Sequence, residues 1–165
     1  MIAIGIDPGT PVTIVALSPN GGIMGVWDKD AVATYPKRPG KKTALAVNNP
    51  DAIAAILRPY AALGARVVIE RVSAMPNQGI SSSTRFVGSM YLCHGITVGI
   101  GMPTTLVTPT SWKRAMGLNS DKEVSRAAAL RRWSDWADLF SLKGHHDRAE
   151  AALLAAWLQT QSKET

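Results

Sequence analysis

The sequence predicts an α/β fold, and three observations carry that expectation. Short apolar runs at 2–6, 12–18 and 23–27 have the length of strands and are separated by turn-forming residues. A helical pattern after Asn49-Pro50-Asp51 ends at Gly64 and passes after two residues into another apolar run at 66–70, the helix-to-strand half of a crossover. The second half of the chain reads as helices, interrupted by one more strand at 104–107. With 165 residues, 46% hydrophobic and 18% charged, the chain is sized for one domain, 1–165, and no repeat, linker or low-complexity tract divides it.

The first three strands form a meander, with Pro19-Asn20-Gly21-Gly22 as the hairpin loop between the second and third. Residues 29–48 break the pattern with Lys29, Lys37, Arg38, Lys41, Lys42 and two prolines, so they read as a long basic loop rather than an element. That loop is open to two readings, substrate contact or a solvated insertion. Asn49 is placed to cap the first helix, Pro50 to begin it, and Ile53, Ile56, Leu57 and Tyr60 mark its buried stripe. A polar stretch from Ser73 to Ser83 leads into a second helix over roughly 84–100, where Gly88, Gly95 and Gly99 permit close packing. Thr108-Pro109 opens a short helix that stops at Gly117, and Ser120 with Glu123 has capping-box spacing for a longer one. The final helix is expected to begin near His145 or His146 and run to about Gln161.

Eighteen Lys plus Arg against twelve Asp plus Glu give a net charge of +6, which suits a polyanionic partner. Segment 111–132, with Lys113 and Arg114 at its start, has six basic and two acidic residues and is a second basic cluster, read either as substrate contact or as a solvated helix face. The lone Cys93 excludes an intramolecular disulfide and sits in an apolar helical stretch, where a buried thiol in a reducing cytoplasm fits. Met1 leads straight into a strand, and no apolar run of about 18 residues occurs, so neither an export signal nor a membrane span is expected.

Four acids carry the candidate chemistry. Asp7 ends the run Ile2-Ala3-Ile4-Gly5-Ile6 and is followed by Pro8-Gly9-Thr10; Glu70 ends Val67-Val68-Ile69 in the same way. A carboxylate closing a buried strand costs several kcal/mol unless it is paired or coordinated, and Arg71 is one available partner. Asp147 and Glu150 share a helix face with Leu154 and Trp157, so a helix burying that face turns both acids toward the sheet. Taken singly, Asp7 also reads as a turn residue, and Asp147 and Glu150 as acids favoured by a helix N-terminus. Taken together, four repelling carboxylates call for counter-charge. Two Mg²⁺ ions about 4 Å apart would supply it, activate a water and stabilise a leaving 3′ oxygen; oxygen ligands favour Mg²⁺ or Mn²⁺ over zinc.

The ordered motifs Gly5-Ile6-Asp7-Pro8-Gly9-Thr10, Ile69-Glu70-Arg71-Val72, Val107-Thr108-Pro109-Thr110-Ser111-Trp112-Lys113, Asp121-Lys122-Glu123 and His145-His146-Asp147-Arg148-Ala149-Glu150 span almost the whole chain. They resemble the RuvC-type Holliday-junction resolvases, in particular the phage and viral branch of the RNase H-like superfamily. The resemblance implies a central mixed sheet flanked by helices and a Mg²⁺-dependent endonuclease of DNA recombination and repair that cuts four-way junctions to leave a 5′ phosphate. It also implies a homodimer acting in a bacterial or phage-infected cell, with Asp7, Glu70, Asp147 and Glu150 as metal ligands. His146, or His145, is an alternative penultimate ligand, and His146 otherwise orients water or transfers a proton.

Where cellular relatives carry an aromatic three residues after the strand-end Glu, this chain has Ser73, so Met75, Pro76 or Phe86 are the available wedges at the crossover. The helix over 84–100 is a candidate dimer face or plain core. Rival readings keep the pocket but change the substrate to flaps or RNA–DNA hybrids, or keep the junction without catalysis. An actin-like phosphotransferase needs two such domains and far more chain.

Overall fold

A computed structural model of the chain describes residues 1–37, 39–40, 42–73 and 80–161. Its centre is a five-stranded mixed sheet built from β1 (Ala3–Asp7), β2 (Thr13–Leu17) and β3 (Ile23–Trp27), followed later in the chain by β6 (Arg66–Glu70) and β7 (Thr104–Val107). The strand order is β3-β2-β1-β6-β7, antiparallel from β3 to β1 and parallel from β1 to β7. Between the meander and the crossover lie β4 (Ala33–Thr34), β5 (Val47–Asn48) and α1 (Pro50–Ala62).

The expected basic loop is therefore not free of regular structure. A single 3₁₀ turn at Lys29–Ala31 and the two-residue pair β4–β5 close its ends, with Val32, Ala33 and Asn48 buried. Two paired residues are too few to leave a period-2 signature, which is why the sequence reads there as loop.

The helices occupy both faces. On one side α1 and α2 (Ile80–Gly99) pack Ile53, Leu57, Met90 and Cys93 against Ile4, Ile6, Ile14, Val67 and Ile69. On the other, α3 (Pro109–Ala115), α4 (Lys122–Arg132) and α5 (His146–Gln161) cover Ala3, Val15, Leu17 and Val68. Side chains alternate across a strand, so the buried positions assign the residues of β1 and β6 to a face. Ile4 and Ile6 face α1 and α2; Ala3, Gly5 and Asp7 therefore face α5. The same parity in β6 puts Val67 and Ile69 on the first face and Val68 and Glu70 on the second. Ile6 is level with Ile69 across the parallel ladder, so Asp7 and Glu70 emerge side by side.

Local chemistry explains the helix boundaries. Asn49 Oδ1 accepts from the amides of Asp51 and Ala52, and Pro50 opens α1 as expected. Thr108 caps α3 through Ser111 N, and Gly117 leaves it at φ +68°. The cap of α4 is one residue later than Ser120: Asp121 accepts from Glu123 N at 2.9 Å. The carboxylate of Asp121 suits both the amide and the positive end of the helix, while the Glu123 side chain is taken by Arg126 at 2.7 Å. Helix α2 starts at Ile80, so it takes in the serines that the sequence places ahead of it. Cys93 lies fully buried in α2, and that burial pushes its thiol pKa up to about 12.

Helix α5 crosses β1 with almost no gap. A Cβ at Gly5 would collide with the carbonyl of Ala151 and the amide of Ala155. Only glycine on the strand and alanines on the helix permit this approach, and it occurs two residues before Asp7.

Candidate active site

Asp7 and Glu70 lie side by side at the carboxyl ends of their strands, where Trp112 of α3, Lys122 of α4 and the acids of the first turns of α5 approach them in one cleft. Glu150 is 5% exposed and belongs to the same buried helix face as Leu154. One turn earlier Asp147 is half-exposed, yet of all the neighbouring charges it acts most strongly on Asp7. The structure thus brings together the four acids that the sequence singles out.

Desolvation raises the Asp7 pKa well above the usual carboxylate range, and the charges of Asp147, Glu70 and Glu150 add to it. Glu70 is also raised, by desolvation first, against the hydrogen bond it accepts from Trp112 Nε1 at 2.8 Å. Trp112, fully buried, is therefore the polar partner of Glu70; Arg71 is exposed and does not fill that role.

Two lysines enter the cleft, and the sequence reading assigns neither there. It puts Lys113 in a surface basic cluster, but the side chain is buried and its Nζ sits 2.6 Å from Glu150 Oε1. The α3 helix turns Lys113 inward beside Trp112, over whose ring the ammonium lies at 5.4 Å. Lys122 Nζ reaches Asp147 Oδ1 at 3.2 Å. Partial burial works against the Lys122 ammonium, but Asp147, Asp7 and Glu150 outweigh it and hold its pKa above the ordinary value. A basic residue in the first turn of a helix, and another beside a buried tryptophan, are the signals the sequence offers.

Four carboxylates meet here and only two ammonium groups reach them, so acids outnumber bases in the cleft. Hard oxygen donors with that excess suit a divalent cation in chemistry and in charge. Among the described residues, no three His, Cys, Asp or Glu side chains are arranged to hold one ion; Lys113 pairs with Glu150 and Lys122 with Asp147.

His146, half-buried, places Nε2 3.1 Å from Asp147 Oδ1 and Nδ1 3.0 Å from the Lys143 carbonyl. It supports Asp147. His145 turns instead toward Arg148 and the Leu142 amide. Arg148 holds Asp28 at 2.6 Å, tying the end of β3 to the turn of α5 that carries the acids. The remaining nucleic-acid candidates are dispersed: Lys37, Lys42 and Arg114 are exposed, whereas Arg38, Lys41, Met75 and Pro76 lie outside the described residues. Phe86 is 40% exposed and lines a shallow cleft with Thr10, Ser81, Ser82 and Arg85.

Among solved structures, Thermus thermophilus RuvC in complex with Holliday junction substrate superimposes with a TM-score of 0.65 at 15% identity, covering 99% of this chain and 96% of that one. The fold is RuvC-like. A second Thermus thermophilus RuvC structure matches with a TM-score of 0.52 at 14% identity, over 98% of this chain and 97% of that one. No family model and no curated protein matches the sequence. The RuvC-like fold accounts for the mixed five-stranded sheet flanked by helices that the motifs imply.

Proposed function

We propose that this chain is a metal-dependent endonuclease that resolves four-way DNA junctions by phosphodiester hydrolysis, leaving a 5′ phosphate. The observation that carries the reading is the meeting of Asp7, Glu70, Asp147 and Glu150 in one cleft. The likeness to a RuvC bound to Holliday junction substrate supports the choice of substrate. Membership of the phage and viral branch rests on the sequence motifs alone.

Asp7, Glu70, Asp147 and Glu150 would hold Mg²⁺, which when bound activates water and stabilises the leaving oxygen. Trp112 orients Glu70 by its indole N–H, fixing which oxygen faces the cleft. Lys113 and Lys122 restrain the charge of Glu150 and Asp147, and the half-exposed Lys122 is free to turn outward. His146 lies beside Asp147 and offers a proton-transferring group at the rim. Lys37, Arg38, Lys41, Lys42 and Arg114 supply phosphate contacts.

Two cuts across a symmetric junction need two sites, so a homodimer belongs to the proposal. Its face is the outer stripe of α2, where Tyr91 and Val98 are exposed and a Cβ at Gly88, Gly95 or Gly99 would meet nothing within 4 Å. A cytoplasmic setting fits a chain in which no described helix is long and apolar enough to cross a membrane.

Cleavage of an end-labelled four-way junction with Mg²⁺, and its loss with EDTA, tests the reading. Glu70→Gln keeps an oxygen for Trp112 but removes the charge, so it is expected to bind junctions and cut them at least about 100-fold more slowly. Cutting within tenfold of wild type would remove Glu70 from the site. Preferential cutting of flaps or RNA–DNA hybrids in the same assay would keep the chemistry and change the substrate; binding without cutting would leave a junction-binding protein.

A further inference from the structure

We infer that Asn48 and Ser89 are positioning residues for Asp7, holding the turn that directs its carboxylate into the cleft. The inference rests on the proposed role of Asp7. That residue is the last of β1, level with Thr13 across the β1–β2 ladder, and the five residues between them have no ladder partners of their own. Their direction therefore depends on what else binds them.

Two side chains from distant elements do so. Asn48 Oδ1 accepts from Val12 N at 3.0 Å, and its Nδ2 donates to the Gly9 carbonyl at 3.2 Å and to Ser89 Oγ at 2.8 Å. Ser89 Oγ donates its own proton to the Gly9 carbonyl at 2.8 Å. Each amide hydrogen, the amide oxygen and the serine hydroxyl has a partner, so the network is closed and has one consistent orientation. Both side chains are buried. Gly9 N donates back to the Asp7 carbonyl at 2.9 Å, linking the clamped residue to the acid. A Cβ at Gly9 would approach the Pro11 carbonyl to 2.8 Å, so the turn is tight at the point where it is held.

The origin of the clamp adds a second link. Asn48 is the last residue of β5, where the basic segment returns to the fold, and Arg85 Nη2 on α2 donates to the Ala46 carbonyl two residues before it. The segment proposed to meet DNA is thus anchored by Arg85 apart from the Asn48 side chain, and the turn is what that side chain holds.

Mn²⁺ alone is the probe, followed by electron paramagnetic resonance so that affinity is read without catalysis. Asn48→Ala is expected to weaken Mn²⁺ binding about tenfold or more, in line with partners of metal ligands elsewhere, and Ser89→Ala by a smaller factor. Junction affinity should stay within about twofold while kcat falls in the same order as Mn²⁺ affinity. Ile53→Val is the control, because it loosens the apolar cluster to which Val12 belongs while leaving the hydrogen bonds of Asn48 and Ser89 in place, and it should leave Mn²⁺ affinity unchanged. If Asn48→Ala fails to fold, Ser89→Ala decides. Wild-type Mn²⁺ affinity in the folded variants would overturn the inference. Asp7→Asn, measured alongside, separates the two levels: full Mn²⁺ binding and cutting there would overturn the proposed function itself.

Discussion

Lys113 Nζ lies 2.6 Å from Glu150 Oε1, and both side chains are nearly shielded from solvent. A buried pair of this kind is costly to assemble and costlier to break, because the survivor is a desolvated charge without a partner. The pair sets an ammonium against Glu150 on the buried face of α5, and it sits where a cation is needed in the proposed reaction.

Lys113→Ala is therefore expected to destabilise the chain by about 3 kcal/mol in urea titrations without divalent metal. Adding Mg²⁺ should recover part of that stability, since the metal replaces the missing positive charge. The double change Lys113→Met with Glu150→Gln should cost less than Lys113→Ala alone. A Lys113→Ala protein as stable as wild type would show that Glu150 is solvated.

The raised pKa values of Asp7 and Glu70 fix the sign of a pH effect. The native state holds protons that the unfolded state has released, so their contribution is fully present below the ordinary carboxylate value and is lost as pH rises through the folded value. In EDTA, stability should fall as pH rises from about 4 toward neutrality. Thermal melts of Asp7→Asn should show a shallower fall, and Mg²⁺ should reduce the slope in wild type. A wild-type slope of the opposite sign would contradict the burial described for Asp7.

Gly5→Ala tests the crossing of α5 over β1. The added methyl meets backbone atoms of Ala151 and Ala155, which cannot rotate away. Separation of helix from strand should cost about 3 kcal/mol and should lower cleavage more than the remaining folded fraction explains, because it moves Asp147 and Glu150 away from Asp7. Unaltered cleavage would show that the acids tolerate a shifted helix.

Changing Lys37, Arg38, Lys41 and Lys42 together to Ala should weaken junction binding and flatten its dependence on salt. Every phosphate that the variant no longer neutralises takes about 0.9 from the log–log slope. An unchanged slope would return the segment to the reading of a solvated insertion.

The α/β class and the convergence of the acids are legible in the sequence because both follow from periodicity. Alternation along β1 and β6 sends Asp7 and Glu70 to one face, and the i, i+3 spacing sends Asp147 and Glu150 back toward them. Those rules act over a few residues. What escapes a sequence reading depends on pairs remote in the chain: Lys113 with Glu150, Trp112 with Glu70, Asn48 with Gly9. In each pair at least one residue has an ordinary local role, as a helix-surface lysine, a core tryptophan or a loop asparagine. The cap at Asp121 is missed for a smaller reason, since Ser120 and Asp121 are adjacent residues that can both cap a helix.

The crossing of α5 over Gly5 also orders events in time. Strand β1 and strand β6 are both made before α5, so Asp7 and Glu70 wait for that helix before Asp147 and Glu150 arrive. Domains fold as units, and pairings this distant in sequence close late. A nascent chain that has not yet reached α5 lacks two of the four site carboxylates and the helix that covers β1, so a DNA-cutting centre of the proposed kind cannot exist before that helix is made.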